Sequence, residues 1–193
     1  MKILSTTILI LAVAALFPNI SQAHCDRVNG PVAKAARKAL KNKNFETVQI
    51  WVGEEQEKEL LQSYNRALDV YQQDGKAGKL AERYFIENAV RLHRAAEGMP
   101  FTGVKPAQSL PEDLKLAEKA LESGNADKVI ALLRNELAKR VQKYHKKAVT
   151  TAQKKNKNVE AGRQWVDAYV KYIIYVHGLY QKIQAGPAHG VGE

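Results

Sequence analysis

The chain has one cysteine, Cys25, among 193 residues. No internal disulfide can form, so a small fold stapled by several bridges is excluded. Strand signals are nearly absent, and the long stretches instead repeat apolar residues at spacings of three and four, the helical period. There is no phosphate-cradling glycine loop, no G-x-S-x-G, no H-E-x-x-H and no haem-attaching C-x-x-C-H, so the signatures of those enzyme classes are missing. No apolar run reaches the roughly 20 residues that span a bilayer.

The longest apolar run that is present lies at the start. Met1 and Lys2 precede an apolar stretch from Ile3 to Phe17, followed by a polar segment ending Ser21-Gln22-Ala23. A basic start, an apolar middle and a small-x-small end describe an export signal cut after Ala23. The expected mature chain runs from His24 to Glu193, is periplasmic or extracellular, and has no stable membrane insertion.

Charge is strongly one-sided. Of 30 Lys and Arg only Lys2 leaves with the signal, so 29 basic side chains face 20 acidic ones, a net +9. Such a surface attracts anions from superoxide to larger polyanions. The basic residues are spread through all helices without aromatic interleaving on a strand platform, which disfavours nucleic acid.

The period predicts helices over Pro31 to Leu40, Glu46 to Gln73 with a break near Gly53, and Gly78 to Glu97. Further helices are expected over Pro111 to Glu122, Ala126 to Gln153 and Val159 to Ala185. Gly98-Met99-Pro100 is a helix stop, and Phe101 to Leu110 reads as a loop. The expected fold class is all-α, an antiparallel helical bundle with a four-helix-bundle-like core and extra helices. One metal-binding domain is expected over 24–185, with a flexible tail over 186–193.

The chemistry concentrates where the cut falls. A mature chain beginning His24-Cys25-Asp26 places four donors together: the α-amine and imidazole of His24, and the amide nitrogen and thiolate of Cys25. Amine and amide close one five-membered chelate, and amide and thiolate close the next ring. A deprotonated backbone amide as ligand calls for a metal of tetragonal preference, Cu(II) or Ni(II).

The stretch His24-Cys25-Asp26-Arg27-Val28-Asn29-Gly30-Pro31-Val32 resembles the nickel hook H-C-D-L-P-C-G-x-Y of nickel superoxide dismutase, which sits on a four-helix bundle. His24, Cys25, Asp26 and Gly30 match, whereas Asn29 replaces the second cysteine and Val32 the tyrosine. The resemblance implies disproportionation of superoxide to oxygen and peroxide at a metal held by the processed N-terminus, in a homo-oligomer. That family's nickel has two thiolates and this chain supplies one. An N-terminal histidine completed by a second imidazole is also similar to the copper histidine brace, so copper is expected over nickel.

His93 and His177 are the candidate remote ligands, each on an apolar helical stripe: Ile86, Ala89 and Val90 for His93, and Val166, Val170, Ile173 and Tyr180 for His177. Arg91 and Arg94 are candidates for drawing the anion inward, while His145 and His189 are expected bystanders. Tyr169, Tyr172, Tyr175 and Tyr180 crowd the last helix as boundary residues, some of which could line a metal pocket. A non-catalytic copper or nickel carrier or sensor would need the same hook. The two differ in whether an open position remains for substrate.

Overall fold

The computed structural model describes residues 24–73, 75–187 and 190–191. The expected signal over Met1 to Ala23 lies outside them, as do Ala188, His189, Gly192 and Glu193 of the expected tail. Among the described residues the chain forms seven helices, packed antiparallel, and no strand, which is the all-α class expected. They are α1 (Pro31–Asn42), α2 (Glu46–Gln49), α3 (Glu54–Tyr71), α4 (Lys76–Ala96), α5 (Glu112–Ser123), α6 (Asp127–Ala152) and α7 (Val159–Ala185). Among the described residues none is long and apolar enough to cross a membrane. The helices fall into two compact units that divide between Ser109 and Leu110.

The first unit carries α1 to α4, with α4 against both α1 and α3. Pro31 opens α1, where its missing N–H costs nothing. The small side chains Ala33, Ala36 and Ala39 let its backbone approach the core closely. Phe85 and Ile86 of α4 meet Leu60 and Tyr64 of α3 and Leu40 of α1 in one apolar cluster. The Tyr64 ring lies 5.4 Å from Phe45 and 5.5 Å from Phe85, and its hydroxyl donates to the Ala39 carbonyl at 3.4 Å.

Two interruptions in this unit position its buried polar side chains. The expected break near Gly53 is present: α2 stops at Gln49 and α3 starts at Glu54, which turns the Trp51 carbonyl away from helical pairing and toward His93. At the other end of the unit, Gly98 adopts φ 67° and α4 closes with Gly98 N–H on the Ala95 carbonyl at 3.0 Å and Met99 N–H on the Arg94 carbonyl at 2.9 Å. This paired closure needs a left-handed residue at Gly98. It fixes His93, Arg94 and Glu97 in and just beyond the last turn.

In the second unit α5 packs on α6 and α6 on α7. Ala148 and Ala168 are its buried residues within these helices. The Tyr144 and Tyr175 rings stand 4.7 Å apart and His145 meets Tyr172 at 5.5 Å, so these side chains line the seam between α6 and α7. An apolar stripe such as that of Val166, Val170, Ile173, His177 and Tyr180 ordinarily faces a core; here each of these residues is exposed. The cause is that α7 is apolar on more than one face, and α6 covers the face carrying Ala168, Tyr172 and Tyr175.

Because Phe85 is fully buried at the meeting of α3 and α4, Phe85→Ala is expected to cost roughly 3–5 kcal/mol of stability. Urea unfolding of the purified protein measures it. A loss under about 1 kcal/mol would place the core elsewhere.

Candidate functional site

The segment from His24 to Gly30 does not trail from the bundle. The Arg27 N–H reaches the His24 carbonyl at 3.5 Å and the Gly30 N–H the Arg27 carbonyl at 2.8 Å, which curls it into a compact turn. A side chain at Gly30 would begin 2.3 Å from the His24 carbonyl oxygen and 3.0 Å from that of Arg27. Only glycine lets the backbone pass so close. The match of Gly30 to the hook pattern thus has a steric reason in this chain.

The loop after α4 straps the same segment down. Lys105 N–H donates to the Asp26 carbonyl at 2.7 Å, and Val28 N–H donates to the Lys105 carbonyl at 3.0 Å, an isolated parallel bridge. Asn29 clasps Gln108 in both senses: its amide nitrogen donates to the Gln108 carbonyl at 3.1 Å and its oxygen accepts the Gln108 N–H at 3.3 Å. Arg27 adds a bond to the Pro106 carbonyl at 3.1 Å. Where the hook pattern has a second thiolate, this chain has an amide committed to holding a loop.

Beneath the turn lies a buried ionic cluster. Asp26 is 5% exposed, Arg94 5% and His93 2%. Arg94 Nε faces Asp26 Oδ1 at 3.6 Å and Arg94 Nη1 donates to Glu97 Oε2 at 2.9 Å. His93 Nε2 faces Glu97 Oε1 at 3.5 Å. Burial raises the Asp26 carboxyl above the usual aspartate range, and Glu97 pushes the same way; Arg94, His93 and Lys105 pull it down without cancelling the burial.

His93 is the most defined member. Its Nδ1 lies 2.7 Å from the Trp51 carbonyl. A carbonyl only accepts, so Nδ1 carries the proton. Nε2 is then left buried with no hydrogen bond, as are Asp26 Oδ1 and Arg94 Nε. Such orphaned polar atoms are uncommon in folded proteins and mark a place where something else binds or strain is held.

The expected site residues are therefore divided. His24, Cys25, Arg94 and His93 belong to the first unit, where Cys25 packs partly buried against the core cluster and its neighbour Asp26 reaches Arg94 beside His93. His177 belongs to the second unit, exposed on α7. Arg91 turns outward to an ion pair with Glu59, and Arg94 is enclosed by two carboxylates, so both arginines expected to draw in an anion are already paired. Asp26 as an ion-pair partner, Asn29 as a clasp and Glu97 were not anticipated. Only the spacing of Glu97 four residues after His93 was a legible signal.

Among the described residues no three His, Cys, Asp or Glu side chains gather into a cage for a metal ion. Fold and site together define an all-helical protein with a strapped N-terminal turn over a buried His–Glu–Arg–Asp cluster. The chain belongs to the family of unknown function DUF6448, whose model matches residues 29–175. Asn29, Gly30, His93, Arg94 and Glu97 fall inside that span, and His24, Cys25, Asp26 and His177 outside it. No curated protein and no solved structure matches the chain.

Removing one partner of a buried pair leaves the other charge uncompensated, at a cost of roughly 3–5 kcal/mol. Arg94→Met, which strands Asp26 and Glu97, is expected to lose that much in chemical denaturation, and adding Asp26→Asn to return part of it. Additive effects of the two changes would mean that the charges do not interact.

Proposed function

We propose that the chain, once cut after Ala23, is an exported metal-binding protein that holds one copper or nickel ion at His24 and Cys25, with His93 as the remote ligand, and carries out superoxide dismutase-like redox chemistry. The observation that carries this reading is the His93 ring: Nδ1 tied to the Trp51 carbonyl and Nε2 buried without a hydrogen bond. Metal-bound histidines are oriented in this way, with the outer ring nitrogen donated to a carbonyl or carboxylate. Two imidazoles, a thiolate and an amine suit copper, with nickel as the alternative.

When bound, copper or nickel supplies the one-electron couple that disproportionation of superoxide requires. The rest is the work of the protein. Trp51 fixes the His93 tautomer; Asp26 and Arg94 tether the residue next to Cys25 to the end of α4. Lys105 and Asn29 hold the turn against its loop. The basic surface of the mature chain raises the encounter rate with a small anion, a task that falls to the surface as a whole because Arg91 and Arg94 are paired.

That pairing favours a second reading. A non-catalytic carrier or sensor needs the ligands and no cation left over for an incoming anion, and both candidate arginines are ion-paired with carboxylates. Superoxide turnover by the metal-loaded protein separates the two readings. Turnover that falls as salt is raised supports the enzyme, and metal uptake without turnover supports the carrier.

The test of metal binding itself compares chains beginning at His24 and at Met-His24. The extra residue converts the His24 amine into an amide and alters the chelate rings while keeping every side chain. The His24 chain is expected to take up one copper or nickel ion by elemental analysis and titration, and the extended chain to lose most of that affinity with its circular dichroism unchanged. Equal uptake by both would remove the amine from the ligand set.

A further inference from the structure

We propose that Glu97 is a further ligand of the same centre, forming with His93 a preorganised N,O pair at the end of α4. This rests on the metal-binding reading and adds a donor that the hook pattern does not contain. Residues four apart on a helix present neighbouring side chains. Here the separation of His93 Nε2 from Glu97 Oε1 is 3.5 Å. Two donors each about 2.0–2.1 Å from one ion stand roughly 2.9–3.4 Å apart for angles between square and tetrahedral. The two atoms are thus spaced close to the edge of a coordination polyhedron.

The contact is a poor substitute for a hydrogen bond. A charge-assisted N–H to carboxylate bond closes to about 2.7–2.9 Å, whereas His93 Nε2 has no hydrogen bond although it is 2% exposed. With Nδ1 on the Trp51 carbonyl, Nε2 is the ring atom turned toward a Glu97 carboxylate oxygen. A metal ion held between these two atoms would engage both.

Arg94 completes the arrangement. By taking Glu97 Oε2 at 2.9 Å, it holds the carboxylate with Oε1 toward His93, the oxygen through which Glu97 would bind the ion. Arg94 also faces Asp26, the neighbour of Cys25. One guanidinium therefore aligns the carboxylate from α4 and the segment that bears the N-terminal donors. An oxygen donor beside imidazole nitrogen favours Cu(II) over Cu(I).

The experiment titrates Cu(II) alone into the chain beginning at His24, wild type and Glu97→Gln, with electron paramagnetic resonance of the loaded forms. Glutamine keeps the length and can still accept from Arg94, so the fold is expected to survive. The copper affinity should fall at least tenfold and the hyperfine pattern should change. Glu97→Asp, which keeps the charge for Arg94 while withdrawing the oxygen, should behave in the same direction and serves if Glu97→Gln unfolds. Wild-type affinity and spectrum in the folded variants would overturn the role of Glu97 and leave the N-terminal site standing. No copper uptake by the wild-type chain would overturn both.

Discussion

The position of the N-terminal segment depends on one buried cation. Arg94 sits in the last turn of α4 with 5% of its surface exposed, and a guanidinium cannot shed its charge at any physiological pH. Burial without partners would be prohibitive, so carboxylates must come to it. Glu97 arrives from the same helix end and Asp26 from the segment before α1. The approach of Asp26 brings His24 and Cys25 with it, and the loop carrying Lys105 and Gln108 closes over the result. A metal centre, if formed, is thus a consequence of how the interior answers one charge.

The same constraint explains why the turn tolerates so little variation. Gly30 has no room for a side chain beside the His24 and Arg27 carbonyls. Asn29 spends both ends of its amide on Gln108, and a cysteine in its place would release that loop. The strapped turn and the lack of a second sulfur beside Cys25 are therefore linked, because one position cannot both clasp the loop and provide a thiolate. The Asp26 carboxyl, raised by burial despite Arg94, shows the desolvation that this arrangement carries.

How much of this was legible in the sequence depended on whether a local signal existed. Pro31, Gly53 and Gly98 are local chain-direction signals, and the helix start, the break and the stop fall at or beside them. The helix Val159–Ala185 ends where its apolar period ends. His177 could not be placed by period, because a helix apolar on several faces does not say which face its neighbour covers. Arg91 and Arg94 look alike in sequence, yet one pairs outward with Glu59 and the other inward with Asp26 and Glu97. That difference is set by the rotation of α4 against α1 and α3. The His93 bond to Trp51 and the Asp26 approach to Arg94 join residues far apart in the chain, and nothing local encodes such pairings.

The proposed enzyme and the proposed carrier would share this architecture and part only in what reaches the metal, so the ligand set is the claim to test first. X-ray absorption at the copper edge, on the chain beginning at His24 after loading, reads that set most directly. The account predicts a single sulfur bonded to copper, together with the multiple scattering of imidazole rings and light-atom donors from the N-terminus. A copper environment without sulfur would contradict it, and would return Cys25 to the core cluster as a packing residue.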